Sequence, residues 1–304
     1  MSKYFDQSRQ GDDRSARRNG FKAVNVEEVF DVVTKAGAED AGDISDSRLS
    51  RCRKMRLPNS SDKPLIFPRT DISAVALESY RALRTRLLRL QGTNGVRSVV
   101  LTSAMAGEGK TLTTANLALC CAQLHEMRVL VIDGDLRTSG LTKLLGDPEG
   151  PGLGDVLSGQ VDFQDAIQAT DNPNLYVLGA GNCSMPAPEL FSRTQWKDLI
   201  GWCGEIFRVV LVDSPPVLPV ADFEQIISAC DGVLVVVRAL RTNREMLKRT
   251  ALRVDPKKLL GVVFNGADPE EQAYYSIGHT TPATRKSEVT VEESRSPEQS
   301  KVLA

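Results

Sequence analysis

No stretch of the sequence approaches the ~20 consecutive apolar residues that span a bilayer, and the opening MSKYFDQSRQGDDRSARR lacks the apolar core of a secretion signal. A cytoplasmic location is the expectation. Histidine occurs only twice, far apart, so a histidine-based metal centre is not expected. The six cysteines (Cys52, Cys120, Cys121, Cys183, Cys203 and Cys230) show no C-x-x-C spacing and several sit in apolar runs. That argues against a disulfide framework, a thiolate metal site or paired-thiol electron carriage, and for buried reduced thiols. Neither sign of charge prevails: 38 basic against 39 acidic residues leave a formal charge of -1, so nothing global favours nucleic acid as a partner. No internal repeat is present.

What is present divides the chain in three. Residues 1–68 are polar, rich in Ser, Asp and Arg, and read as a largely disordered extension. Within it, VNVEEVFDVVTKAG has helical spacing, and RCRKMR (51–56) reads as a solvated linker or a weak attraction for anionic lipid. Residues 269–304 return to polar composition as a flexible tail. Between them, SAVALESYRALRTRLLRLQ reads as a long helix with an apolar stripe and an arginine-rich face. Short β-branched runs then alternate with helical segments: VRSVVLTS, MRVLVIDGD, NLYVLGAG, FRVVLVDSPP, DGVLVVVRA and LLGVVFNGAD. Their near-continuous hydrophobicity suits strands covered on both faces. The fold class expected for 69–268 is therefore α/β, a doubly wound and mostly parallel sheet flanked by helices.

The stretch SAMAGEGKT (103–111) fits A-x-x-x-x-G-K-T, a phosphate-binding loop with Ala104 in place of the usual first glycine. It lies between a strand and a helix. Consecutive backbone N–H groups and the positive helix end can surround phosphate oxygens there. Lys110 would reach the β- and γ-phosphates, the Thr111 hydroxyl would hold Mg²⁺, and Gly107 and Gly109 permit close backbone approach. Two further strands end in carboxylates, Asp133 with Asp135 in VLVIDGDLR and Asp213 in VVLVDSPPV. Carboxylates at the carboxyl ends of parallel strands face the ligand crevice. Magnesium needs one or two of them, which leaves another to accept a proton from an incoming hydroxyl. The combination predicts a Mg-ATP site with Lys110, Asp133, Asp135 and Asp213 as its catalytic groups. The nucleotide contacts expected are Ala106, Gly107, Glu108, Gly109, Lys110, Thr111, Leu112, Arg137 and Asn265.

TSAMAGEGKT, VLVIDGDLR, VVLVDSPPV and ESYRALRTRL together resemble the bacterial tyrosine kinases, autokinases of polysaccharide-synthesis operons, over about residues 72–278. The resemblance implies that Thr111, Asp133, Asp135 and Asp213 coordinate the ion directly or through water. It implies a ring-like homo-oligomer joined through an E-x-x-R-x-x-R element matching Glu78, Arg81 and Arg84. It also implies a membrane adaptor of the chain-length-regulator type, placing the kinase at the inner face of the plasma membrane, and a tyrosine phosphatase. Transfer would fall mainly on the chain's own tail. That tail offers only Tyr274 and Tyr275, where the family carries a tyrosine cluster, and Ala106 stands where proline is common. The septum-placement and partition ATPases carry a lysine early in this loop; here it is Met105, so their dimer mechanism does not carry over. A non-kinase ATPase acting as an assembly switch, or a partitioning ATPase, is the alternative reading.

Overall fold

A computed structural model describes residues 47–58, 65, 74–146, 150–220 and 222–267. The segment VNVEEVFDVVTKAG and the tail with Tyr274 and Tyr275 lie outside the described residues. Eight strands form one sheet: β1 (Arg53–Lys54), β2 (Ser98–Ser103), β3 (Val129–Asp133), β4 (Gln168–Ala169), β5 (Leu175–Leu178), β6 (Val209–Asp213), β7 (Gly232–Arg238) and β8 (Leu259–Asn265). Their order is β1-β4-β5-β3-β6-β2-β7-β8, and the pairings are parallel except β4 with β5. Each of the six apolar runs supplies a strand.

The inner strands β2, β3 and β6 are buried along their whole length because each face has its own core, whereas edge strand β8 leaves Val262 and Phe264 exposed, so the expected two-sided cover does not extend to it. In β2, Val99 and Leu101 pack on one side and Val100 on the other; in β3, Val129 and Val131 oppose Leu130 and Ile132. This is the two-residue alternation of a pleat with no wet face. The helices are α1 (Ala74–Asn94), α2 (Lys110–Cys121), α3 (Gly140–Leu144), α4 (Leu153–Ser158), α5 (Phe163–Ala166), α6 (Ala187–Phe191), α7 (Thr194–Ile206), α8 (Asp222–Ala229) and α9 (Arg244–Arg253). α1, α2 and α3 cover one face through Leu87, Leu117 and Leu141. α4, α6, α7 and α8 cover the other through Leu153, Leu190, Leu199 and Ile226. Trp196 anchors that second core: it is buried, meets Phe191 edge-on at 5.2 Å and donates its indole N–H to the Ile226 carbonyl at 3.0 Å. The indole so buries its large apolar area with its one donor satisfied.

Residues 47–58 depart from the expectation of a disordered extension and a solvated linker. β1 lies inside RCRKMR and pairs with β4, and the Met55 amide donates to the Ala169 carbonyl at 2.9 Å. Leu49 and Leu65 are buried, while Cys52, Met55 and Leu57 pack half-buried against the two cores. Average composition concealed this because the apolar side chains are spaced singly between Arg and Ser. The surface ion pairs Arg48–Glu205 and Arg51–Asp165 stabilise it little, since exposed pairs contribute about 0–1 kcal/mol.

One register decides where chemistry can occur. Asp133 at the end of β3 is the direct partner of Asp213 at the end of β6, and β6 pairs with β2, whose end opens into the 104–109 loop. Three strand ends from distant parts of the sequence thus meet at the carboxyl edge of the sheet.

Candidate functional site

The loop after β2 is shaped from within. Met105, Ala106 and Gly107 are exposed, whereas Glu108 turns inward. Its carboxylate accepts the Met105 amide at 3.0 Å and the Thr242 hydroxyl at 2.5 Å. Gly107 and Gly109 have φ of 84° and 93°, backbone that a side chain would strain. At Gly109 there is a second reason: a Cβ would overlap the side-chain amide of Asn265, which reaches back from β8 to donate to the Glu108 carbonyl at 2.9 Å. Gly109 then caps α2, so the helix starts with its free N–H groups at the loop.

Beside the loop, four of the sequence-predicted groups converge. Lys110 Nζ lies 3.4 Å from Asp135 Oδ2 and 3.3 Å from Thr111 Oγ1. The Thr111 hydroxyl donates to Asp213 Oδ2 at 2.7 Å, and the Thr114 hydroxyl lies 3.4 Å from Asp213 Oδ1. Asp213 is fully buried, and burial pushes its carboxyl up to about 7 against the opposing pull of the Lys110 ammonium. Asp133 sits deeper. It accepts the Thr142 amide and hydroxyl at 2.8 and 2.7 Å and the Asp135 amide at 3.2 Å; burial raises its carboxyl and the Thr142 bonds oppose that.

Other expected residues stand elsewhere. Arg137 is turned aside, its guanidinium held by the buried Asp222 at 2.8 and 3.1 Å. The Leu112 side chain packs against the core under α1–α3 rather than toward the loop. Glu78 and Arg81 form an exposed pair on α1 at 3.6 Å, while Arg84 donates to the Cys120 carbonyl at the end of α2 at 2.8 Å. Sequence reasoning missed Thr114, Thr142, Asp222 and Thr242. Only Thr114 carried a signal, its position one turn after Lys110 facing the loop; the others are recognisable only by what they touch.

Residues 99–281 match the CobQ/CobB/MinD/ParA nucleotide binding domain, more than half of the chain. The chain is 32% identical over 212 residues to the tyrosine-protein kinase YwqD of Bacillus subtilis (strain 168), covering 69% of this chain and 89% of the relative. It is 31% identical over 214 residues to the tyrosine-protein kinase CpsD of Streptococcus agalactiae, covering 69% and 91%. The chain belongs to the bacterial tyrosine-protein kinases. Against another kinase of the family, ptk of Acinetobacter johnsonii, 30% identity extends over 86% of this chain but only 35% of the relative. The kinase fold is shared with the BceF tyrosine kinase domain, at a TM-score of 0.59, 30% identity and coverage of 75% and 88%. It is shared also with the chimerical protein CapA2B2, at 0.61, 28% identity and coverage of 72% and 96%. Among the described residues no helix of this kinase is long and apolar enough to cross a membrane.

Proposed function

We propose that the chain is an ATP-dependent protein-tyrosine autokinase whose acceptors are Tyr274 and Tyr275. The observation that carries this reading is the convergence of Lys110, Thr111, Asp135 and Asp213 beside a glycine loop on a kinase fold. The hard oxygen donors of Thr111, Asp135 and Asp213 suit Mg²⁺, with Asp133 behind them. When bound, that ion neutralises charge on the phosphate oxygens. The loop amides and the start of α2 bind the phosphates, and Lys110 places its ammonium on the γ-phosphoryl group. Whichever of these carboxylates the ion does not engage accepts the tyrosine hydroxyl proton as the phenolic oxygen bonds to the γ-phosphorus. The bond from that phosphorus to the β–γ bridging oxygen breaks, and ADP leaves. The remainder of catalysis is positioning and electrostatic stabilisation.

Intact-mass measurement after incubation with Mg-ATP tests the reading. The wild-type chain gains steps of about 80 Da per phosphate, and the Tyr274→Phe/Tyr275→Phe variant does not. Phosphate persisting in that variant would move the acceptors elsewhere, and ATP consumption with no protein phosphate would make the chain an ATPase switch. By the same resemblance the kinase works in extracellular polysaccharide export with a membrane adaptor, a phosphatase and its own copies. Arg81 is the informative residue of the oligomer element, because Arg84 already holds the end of α2 and its loss would disturb the monomer. Arg81→Ala is expected to abolish self-association in sedimentation while leaving nucleotide affinity unchanged. Assembly as in wild type would remove Arg81 from the contact.

A further inference from the structure

Thr142 does more than cap a carboxylate. It is buried and lies on α3, nine residues beyond Asp133. Its hydroxyl oxygen accepts the Ala180 amide at 2.9 Å. An amide can only donate, so the hydroxyl proton is left for Asp133 Oδ2 at 2.7 Å. The rotor therefore has one orientation, and the Thr142 amide reinforces it on the same oxygen at 2.8 Å. The other carboxylate oxygen accepts the Asp135 amide at 3.2 Å, which sets the turn that carries Asp135 to Lys110.

On its far side Thr142 reaches a rigid wall. The Gly179 and Ala180 carbonyls accept the Leu153 and Gly154 amides at 2.8 Å each. Asp155 Oδ2 collects the Gly152 and Asn182 amides at 2.9 and 3.0 Å. Gly152 and Gly181 pack so closely that a Cβ on either would overlap the other's backbone. The loop after β5 is thus locked to the start of α4, and Thr142 is the hydrogen-bonding bridge between that lock and the carboxylates beside Lys110.

We propose that Thr142 is a positioning residue for phosphoryl transfer. It fixes Asp133 from behind, and through the 133–135 turn it aims Asp135 at the Lys110 ammonium, with the 179–182 wall as its fixed reference. This rests on the kinase reading above for the identity of the reaction. Buried partners that orient metal-facing groups typically contribute 10–100-fold to activity or metal affinity.

Thr142→Val keeps the shape and removes the hydroxyl, Thr142→Ser keeps the hydroxyl, and Thr142→Ala removes it without placing a methyl against the carboxylate, should the valine variant fail to fold. In Thr142→Val and Thr142→Ala, kcat for Mg-ATP is expected to fall about 10–100-fold with KM little changed, because the glycine loop and Lys110 are untouched. Thr142→Ser restores kcat. Hydrogen exchange of the Ala180 amide, which loses its acceptor, accelerates in Val and Ala and not in Ser. Wild-type kcat in both hydroxyl-free variants, equal losses in Ser and Ala, or unaltered Ala180 exchange would each overturn the proposal. ATP consumption and phosphotyrosine are read separately. A wild-type chain that consumes ATP without forming phosphotyrosine defeats the kinase reading, while the variants' ATP turnover still decides the role of Thr142.

Discussion

Lys110→Met is expected to lower phosphoryl transfer by at least about a hundredfold, the scale on which single preorganised charge-stabilising donors act. The ammonium lies between Asp135 and Thr111 with little exposure and serves no apolar packing. It lies beside the Asp135 and Asp213 carboxylates, and in the proposed reaction it would turn to the γ-phosphoryl oxygens of ATP. Methionine keeps the straight stem, so α2 and the loop remain folded. Assay of phosphotyrosine alongside near-ultraviolet circular dichroism checks this. A variant with a native spectrum and near wild-type turnover would show that the phosphates are held by the loop amides without Lys110.

Asp213→Asn is expected to abolish activity and, in the absence of magnesium, to stabilise the protein at pH 8. The two effects share one cause. Asp213 is fully buried, beside Asp133 in register and near Asp135, and its carboxyl titrates at about 7 instead of 3.8. A folded-state value raised above the unfolded one means that the folded state binds the proton more tightly. The stabilisation is fully present below the unfolded value and is lost as pH rises through 7. Asparagine resembles the protonated form at every pH and can still accept the Thr111 hydroxyl, so the variant escapes that loss. In the proposed reaction it would also lack the negative oxygen with which the carboxylate would serve magnesium. Thermal unfolding at pH 5 and 8 with EDTA should show an Asn advantage that is clearly larger at the higher pH. In wild type, protons compete with the ion, so more Mg²⁺ is needed for activity as pH falls below 7. An Asn variant less stable than wild type at pH 8, or a wild-type Mg²⁺ requirement flat across pH 6–8, would refute the charge argument.

Much of this protein was legible without coordinates. The six short β-branched runs pointed to strands covered on both sides, and β2, β3 and β6 are so covered, while β8 at the sheet edge keeps Val262 and Phe264 exposed. The spacing of SAMAGEGKT between a strand and a helix, with Asp133 and Asp213 closing two other strands, pointed to a nucleotide-binding domain, as the family match over residues 99–281 bears out, since phosphate binding depends on local backbone shape and residue order. Residues 49–57 were misjudged for the opposite reason. Their apolar side chains are isolated in sequence and gain meaning only from β4 and the cores they meet.

Only the tertiary structure decided how the charged groups divide their work. Strand register made Asp133 and Asp213 neighbours, and nothing in either motif specifies which strand lies beside which. Three-dimensional packing gave Arg137 to Asp222, Arg84 to the end of α2 and Asp133 to Thr142, leaving Lys110, Thr111, Asp135 and Asp213 to face one another. The physical reason is that a motif is local and can be read along the chain. The partner of a buried charge is chosen by whichever distant element folding brings within about 3 Å, because a buried charge is costly unless it is paired.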